Sequence, residues 1–198
     1  MSEVTSRNNL FPVFLKVENL RVLIIGGGDV GSEKLRFLLK SSPLAKVTIV
    51  APEVSDEIKT LSEQYLNVAL VQRAFKSDDL EGEDVVIVAT ENHELNREIR
   101  NAAKQKKILV NVADTPDLCD FYLGSIVTKG DLKIAISTNG KSPTFAKRLR
   151  EFFEEALPDD LQQLLDNLNE VRGKLKGDFA QKVKRLNEIT SNLVSKHG

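Results

Sequence analysis

One stretch of this sequence constrains the fold more than any other, because an apolar run breaks into glycines and leads directly into a helix-forming segment. The run is Leu20-Arg-Val-Leu-Ile-Ile-Gly-Gly-Gly-Asp-Val-Gly31, and the segment after it is Ser32-Glu-Lys-Leu-Arg-Phe-Leu-Leu39. Gly26, Gly28 and Gly31 fit the spacing G-x-G-x-x-G, which permits a tight turn, close approach of a pyrophosphate and close helix–strand packing. The helix start offers free N–H groups to that pyrophosphate. The stretch therefore predicts a dinucleotide-binding βα unit, with a purely structural βα turn as the alternative.

The composition argues against several classes of function. The 28 Lys and Arg residues balance 29 Asp and Glu residues, so no overall field attracts nucleic acid or an anionic membrane. No apolar run approaches about 18 residues, and the polar start lacks the apolar core of a signal peptide. The single cysteine, Cys119, cannot form an intramolecular disulfide. These features favour a cytoplasmic protein that binds neither nucleic acid nor membrane.

Strands and helices alternate through the first half of the chain. The strand candidates are mostly short runs rich in Val and Ile, which is typical of parallel strands covered on both faces. The predicted strands are 10–17, 20–25, 46–51, 67–72, 84–89 and 108–112, and the predicted helices are 29–41, 54–65 and 93–105. Pro12 places the first strand at a sheet edge. The alternation predicts an α/β fold with a Rossmann-like, doubly wound parallel sheet.

The pattern changes after residue 113. Two strand candidates, 124–129 and 131–137, are joined so closely that they can only pair antiparallel. A helix with proline in its first turn starts at Ser142, and the remaining apolar spacing is helical. The last two helices are predicted at 158–175 and 178–196. The expected division is a dinucleotide-binding domain at 1–113, a dimerisation segment at 114–143 and an α-helical C-terminal domain at 144–198.

The residues that follow the second strand bear on the choice of cofactor. An acid about 20 residues past the glycines would hydrogen-bond a ribose hydroxyl, whereas an arginine would favour a 2′-phosphate. Pro52 and Glu53 stand there, with Glu53 slightly beyond the usual position, and no Arg or Lys accompanies them. The pair therefore favours NAD over NADP, with a solvated helix-cap role as the alternative for Glu53.

Asp114 is the candidate general base. It directly follows a buried-looking strand, and in an open sheet the substrate meets the cofactor at the carboxyl ends of the strands. The alternative is an ordinary loop or cap aspartate. Asp117 and Asp120 lie nearby, but no metal-ligand spacing surrounds these acids, so no resident metal is expected.

Basic side chains cluster in two places. One set is Arg97, Arg100, Lys104, Lys106 and Lys107, and the other is Lys141, Lys147, Arg148 and Arg150. Such charges usually form a solvated helix face. The alternative is a cradle for a multiply carboxylated ligand.

Several motifs occur together, in order and at consistent separations. They are Phe11-Pro-Val-Phe-Leu-Lys16, Gly26-Gly-Gly-Asp-Val30, Asn111-Val-Ala-Asp-Thr-Pro116 and Ser137-Thr-Asn-Gly-Lys-Ser-Pro143. With them, the chain resembles over essentially its full length the precorrin-2 dehydrogenase family. That family includes bifunctional dehydrogenase/ferrochelatases and the amino-terminal half of sirohaem synthases.

The resemblance implies NAD-dependent oxidation of precorrin-2 to sirohydrochlorin, on the way to sirohaem or cobalamin, by a homodimer. It also allows ferrochelatase activity, with a ferrous or cobalt ion as substrate. By motif position, the family's NAD contacts fall on Asp29, Val30, Pro52 and Glu53, and its implicated aspartate falls on Asp114. We expect the substrate carboxylates to meet Lys141, Ser142, Lys147 and Arg148. Thr138 stands where some sirohaem synthases carry a serine.

Two other classes of protein use similar glycines. A non-catalytic NAD-sensing regulatory domain also joins such a sheet to a small dimerising unit, but it does not need the Ser137–Pro143 motif. A Rossmann methyltransferase would bind S-adenosylmethionine at the turn, although a full phosphate-type glycine set fits a pyrophosphate better.

Overall fold

Five parallel strands form the central sheet of the computed structural model, which describes residues 8–175 and 178–191. The strands are β1 (Arg21–Ile25), β2 (Lys46–Ala51), β3 (Val68–Gln72), β4 (Val85–Val88) and β5 (Leu109–Val112). Their order is β3-β2-β1-β4-β5, so the chain builds outward from β1 on one side and then crosses to β4 on the other. The crossover opens a crevice between the carboxyl ends of β1 and β4. The predicted Rossmann-like fold is confirmed.

Three helices connect these strands: α1 (Asp29–Ser41), α2 (Asp56–Gln64) and α3 (His93–Gln105). Successive side chains of a strand point to opposite faces of the sheet. Val22 and Ile24 of β1 accordingly belong to one buried cluster, which also includes Leu35 of α1. The other cluster contains alternate residues of β1, Leu23 and Ile25, with α3 residues. Helices therefore cover both faces, and each buried Leu or Ile contributes about 1.5–3 kcal/mol.

The strand predicted at 10–17 is wrong. Residues 10–16 form no regular secondary structure, and Val17–Asn19 is a short 3₁₀ helix. A strand needs a neighbour that accepts its N–H groups, and Pro12 has no N–H to donate. Phe11 and Phe14 are 86% and 68% exposed, so this apolar pattern covers no core in the monomer.

The second half of the chain contains β6 (Ser125–Lys129) and β7 (Leu132–Ile136), which pair in a separate two-stranded sheet. The helices that follow are α4 (Pro143–Ala156), α5 (Leu161–Lys174) and α6 (Phe179–Thr190). The end of the helix predicted at 178–196 lies outside the described residues.

The chain divides into two compact units. One comprises the chain up to Ser125 together with Ser137–Ala146, and the other comprises Ile126–Ile136 together with the chain from Lys147 onward. The three-part division at residues 113 and 143 stays a prediction. Among the described helices, none combines the length and the hydrophobicity needed to cross a membrane.

Candidate functional site

The glycine turn between β1 and α1 packs against backbone on three of its four glycines. A Cβ on Gly26, where φ is +118°, would lie 2.2 Å from the Ala89 carbonyl oxygen at the end of β4. A Cβ on Gly27 would lie 2.2 Å from the Glu53 carbonyl oxygen, and one on Gly31 would lie 2.2 Å from the Gly26 carbonyl oxygen. Side chains at these positions are excluded because rigid backbone already occupies the space.

Gly28 differs from the other three glycines. Apart from the glycine itself and its two chain neighbours, no atom of the described residues lies within 4 Å of the place where its Cβ would be. Its φ of −81° is open to any residue, so its own backbone conformation does not require glycine. It is also the N-cap of α1, whose first N–H groups have no acceptor within the helix. An exposed glycine at an open helix N-terminus fits a bound pyrophosphate, and Asp29 and Val30 continue that first turn.

The loop after β2 lies directly behind the glycine turn. Pro52 and Glu53 are both exposed. Ser55 donates its backbone N–H to the Gly27 carbonyl at 2.8 Å, and its hydroxyl oxygen caps α2 by accepting from the Ile58 N–H at 3.2 Å. The structure therefore holds the Glu53 backbone beside the turn, and the role of Glu53 as a ribose ligand stays a prediction.

Two serines form a pair at this turn that the glycine spacing does not predict. Ser32, the fourth residue of α1, is 2% exposed. Its hydroxyl lies 2.6 Å from the Ser55 hydroxyl and 3.0 Å from the Gly28 carbonyl oxygen, to which it donates. These two serines are 23 positions apart in sequence, so only the fold brings them together.

The carboxyl end of β4 is fixed by a buried asparagine. Asn96 of α3 is 2% exposed and donates its side-chain N–H to the Thr90 carbonyl at 3.0 Å. The Thr90 hydroxyl donates in turn to the Asn96 side-chain oxygen at 2.5 Å. This pair fixes the far wall of the crevice, since Ala89, beside Thr90, is also the residue on which Gly26 packs.

Asp114 lies where the sequence predicted, immediately beyond the end of β5. Its side chain is exposed, and its φ of +55° is in the left-handed region that Asp and Asn tolerate better than most residues. The Ala113 N–H donates to the Val88 carbonyl at 2.9 Å, so the residue before Asp114 extends the pairing with β4. Asp114 thus occupies the same carboxyl edge of the sheet as the glycine turn and the Glu53 loop.

Cys119 is a structural residue of that edge. Its thiol accepts from the Val112 N–H at 3.2 Å and faces the Val112 carbonyl oxygen at 3.2 Å. Burial raises the pKa of the Cys119 thiol, so the thiolate form that nucleophilic chemistry needs is disfavoured. Asp120 beside it accepts from the Val110 N–H at 3.1 Å and from Arg100 at 2.6 Å. Arg100, a member of the first basic cluster, is therefore engaged in holding this segment on β5.

The Ser137–Pro143 motif forms a tight turn before α4. Asn139 and Gly140 both have positive φ, +55° and +73°, and the Lys141 N–H donates to the Thr138 carbonyl at 3.1 Å. Two successive residues with positive φ favour Asn followed by Gly, because these residues tolerate that backbone conformation better than most others. The Ser142 hydroxyl accepts from the Phe145 N–H at 3.2 Å, so it caps the helix.

Lys147 and Arg148 lie on the exposed surface of α4, in the other unit. Their side chains are 66% and 77% exposed, and each contacts Glu151, at 4.0 Å and 3.1 Å respectively. This pairing fits a solvated helix face, and it leaves the predicted role in carboxylate binding as a prediction. Within residues 8–175 and 178–191, no three His, Cys, Asp or Glu side chains are grouped so that they could hold a metal ion.

Comparison with known proteins matches two family models to this chain. A model described as putative NAD(P)-binding matches residues 13–125. A model described as sirohaem biosynthesis protein central matches residues 129–156. The first covers the parallel sheet and its crevice, and the second runs from the last residue of β6 through β7, the Asn-Gly turn and α4.

Individual relatives agree with these models. The siroheme synthase of Psychrobacter cryohalolentis is 38% identical over 168 residues, which are 85% of this chain and 32% of that protein. The siroheme synthase of Nitrosomonas europaea is 33% identical over 174 residues, which are 88% of this chain and 36% of that protein. This chain therefore spans about a third of the length of these relatives. The solved structure of SirC, precorrin-2 dehydrogenase, superposes with a TM-score of 0.71 at 27% identity, covering 92% of this chain and 90% of that one.

Proposed function

Because this chain belongs to the NAD(P)-binding family of precorrin-2 dehydrogenases and sirohaem synthases, we propose that it oxidises precorrin-2 to sirohydrochlorin with NAD. One observation of the structure carries the proposal. Gly28 alone among the four glycines of the turn faces open space, at the N-terminus of α1 and on the carboxyl edge of the sheet. Backbone at such a point can approach a pyrophosphate without steric hindrance.

The reaction removes one hydride and one proton from the macrocycle: precorrin-2 and NAD⁺ give sirohydrochlorin, NADH and a proton. Bound NAD supplies the acceptor for a hydride. The turn at Gly26, Gly28 and Gly31 binds the pyrophosphate, and Asp29 and Val30 contribute the first turn of α1. Asp114 accepts the proton that the macrocycle loses, because its carboxylate is exposed at the same edge of the sheet.

The proposal extends to the choice of nucleotide and to the substrate contacts. Pro52 and Glu53 place an acid and no cation beside the turn, which supports NAD over NADP. Lys141, Ser142, Lys147 and Arg148 bind carboxylates of the tetrapyrrole in this proposal. The family model for the sirohaem central region matches residues 129–156, which include all four of these residues, and this match supports the proposal.

Two further parts of the proposal concern the whole protein. We propose that it acts as a homodimer through residues 114–143, because no strand of the described residues pairs with the outer edges of the two-stranded sheet. A cytoplasmic location stays a prediction from composition.

The direct test is to mix the purified protein with freshly prepared precorrin-2 and NAD and to follow the absorbance of NADH. We expect NADH and sirohydrochlorin to form in equal amounts. The same assay with Gly28→Val should show no turnover. Tight binding of NAD without any turnover of precorrin-2 would instead favour a non-catalytic NAD-sensing domain.

A further inference from the structure

We propose that Ser32 and Ser55 are positioning residues that hold the glycine turn in its NAD-binding conformation. The inference deepens the proposed function and rests on it. The glycine spacing requires no serine at either position, and neither hydroxyl has a role in the reaction described above.

The hydrogen bonds among these groups run in one direction. The Ile58 N–H donates to the Ser55 hydroxyl oxygen at 3.2 Å, and the Ser32 hydroxyl donates to the Gly28 carbonyl at 3.0 Å. The Gly28 carbonyl oxygen can only accept, and each hydroxyl has a single proton, so we assign the Ser32 proton to Gly28. On that assignment Ser55 donates the 2.6 Å contact between the hydroxyls. The result is a chain from the Ile58 N–H through Ser55 and Ser32 to the Gly28 carbonyl, and successive bonds in such a chain strengthen one another.

This series of hydrogen bonds fixes the orientation of the peptide units that face the ligand. The Gly28 carbonyl accepts from the Ser32 N–H at 2.9 Å as well as from the Ser32 hydroxyl. The Gly27 carbonyl accepts from the Ser55 N–H at 2.8 Å. Because a peptide unit is planar, fixing the Gly27 and Gly28 carbonyls also fixes the N–H groups of Gly28 and Asp29 at their other ends. These N–H groups belong to the helix N-terminus that meets the pyrophosphate.

The same serines join the two halves of the nucleotide site. Ser55 lies two residues after Glu53, and the Glu53 carbonyl is the group on which Gly27 packs. The Ser55 backbone and hydroxyl therefore connect the ribose loop to the pyrophosphate turn, while burial of Ser32 keeps water from replacing the bond. Preorganising both loops before the ligand arrives lowers the entropy cost of binding.

Titration calorimetry on Ser32→Ala, Ser55→Ala and the double variant tests the proposal, with NAD and ADP as probes. ADP carries the pyrophosphate without the nicotinamide. We expect each single variant to bind both nucleotides about 3- to 10-fold more weakly, the effect of losing one neutral hydrogen bond. The double variant should lose little more nucleotide affinity than the weaker-binding single variant, because the two hydroxyls belong to one series of hydrogen bonds.

Two comparisons separate positioning from a merely structural role. Ser32→Ala leaves the α2 cap intact, since Ser55 still accepts from the Ile58 N–H, so a weaker affinity in this variant does not come from a frayed helix. Ser62→Ala is the matched control, because it removes a hydroxyl of α2 that donates to the Lys59 carbonyl at 2.8 Å and to no other group of the described residues. We expect Ser62→Ala to bind NAD like the wild type. In turnover, Ser32→Ala should raise the Michaelis constant for NAD and leave kcat unchanged.

Other results would contradict the proposal. Unchanged affinity in both single variants would overturn the serine inference alone, since the wild type would still bind NAD. A double loss equal to the product of the single losses would show two separate contributions and no chain. A loss for NAD but not for ADP would place the effect away from the pyrophosphate turn. A wild-type protein that binds neither nucleotide would overturn the proposed function together with the inference.

Discussion

At the scale of single residues, the glycines of the β1–α1 turn are required for different reasons. Gly26 combines a positive φ with backbone contact, whereas Gly27 and Gly31 do not have a positive φ and are required only because a Cβ would collide with the atoms packed against them. Gly28 is restricted by neither, because its φ is ordinary and the space around it is open. The space at Gly28 is what a ligand would fill, so substitution there should affect binding and leave folding almost unchanged.

Gly28→Val and Gly31→Ala form a matched pair that tests this distinction. Gly28→Val should fold with nearly the wild-type melting temperature and lose NAD binding, because its side chain projects into the ligand's space. Gly31→Ala should lower the free energy of unfolding by about 1–3 kcal/mol, because its Cβ would overlap the Gly26 carbonyl. Calorimetry and thermal denaturation measure the two effects. Normal NAD affinity in Gly28→Val would show that the turn is purely structural and does not bind the nucleotide.

Asp114→Asn tests the proposed base. Asn tolerates the left-handed conformation that this position adopts, so the turn after β5 should keep its shape. Removing the basic carboxylate should lower turnover of precorrin-2 about 10²–10⁴-fold and leave NAD affinity unchanged. Metal insertion into sirohydrochlorin is measured on the same variant, because loss of chelation alone would assign Asp114 to that step. If both activities survive within a few-fold, Asp114 is a loop residue and Glu91 or His93 becomes the next candidate base.

At the scale of elements, β5 depends on the segment that returns alongside it. Cys119 and Asp120 supply side-chain partners to β5 N–H groups that a further strand would otherwise pair. The segment also includes the Asn111 side chain, which donates to the Phe121 carbonyl at 2.8 Å. The outer edge of β5, which leads to Asp114, is therefore covered by residues of the same compact unit.

The Cys119 thiol should make the free energy of unfolding decrease at alkaline pH. Because burial raises its pKa in the folded protein, the unfolded chain loses this proton first as the pH rises. Its contribution to the free energy of unfolding is therefore complete below the pKa of an unfolded cysteine, about 8.5, and is lost progressively as the pH rises from there through the raised pKa of the folded thiol. Urea unfolding of the wild type and of Cys119→Ala between about pH 7 and pH 10 measures the difference. Parallel curves for the two proteins would contradict the prediction.

Helix α4 carries the predicted carboxylate-binding cations. Replacing Lys147 and Arg148 with glutamine should raise the Michaelis constant for precorrin-2 and leave NAD affinity unchanged, since a hydrogen bond to a charged group contributes about 1.5–3 kcal/mol. Lys59→Gln is the control, because Lys59 is an exposed cation on α2 that pairs with Asp56. An equal Michaelis constant in the double variant and the control would show that these cations form a solvated helix face and do not bind the substrate.

At the scale of the whole molecule, apolar side chains remain exposed. Phe11 and Phe14 lie on a segment without regular structure, and β6 and β7 form a sheet of two strands only. Both features are ones that association with a second copy would cover.

Light scattering at micromolar concentration tests that association. We expect a mass twice that of the monomer, unchanged on dilution through the micromolar range. A monomer would contradict the dimer, its interface at residues 114–143 and one implication of the family resemblance. Activity measured across the same dilution series shows whether a dimer is needed for turnover.

Local signals determined most of the fold. The helices at 29–41 and 93–105 and the strand at 46–51 have the predicted bounds residue for residue. Their starts and ends are encoded nearby, by glycines, by the Ser42-Pro43 step and by Asn92, whose side chain caps α3 through the Glu94 and Leu95 N–H groups. The strand predicted at 10–17 does not form because a strand, unlike a helix, takes its hydrogen bonds from a distant segment, and within residues 8–175 and 178–191 no segment pairs with it.

The sequence by itself placed the glycine turn, the Pro52-Glu53 loop and Asp114 at the ends of strands, because parallel strands bring their carboxyl ends to one edge. Tertiary structure alone decided that Gly28 is open while Gly27 is closed. It also decided that Ser32 meets Ser55, and that Cys119 bonds to β5. These contacts join residues that are far apart along the chain or depend on how a turn is oriented. Spacing rules describe periodicity within one element, whereas a hydroxyl or thiol finds its partner only after separate elements have packed.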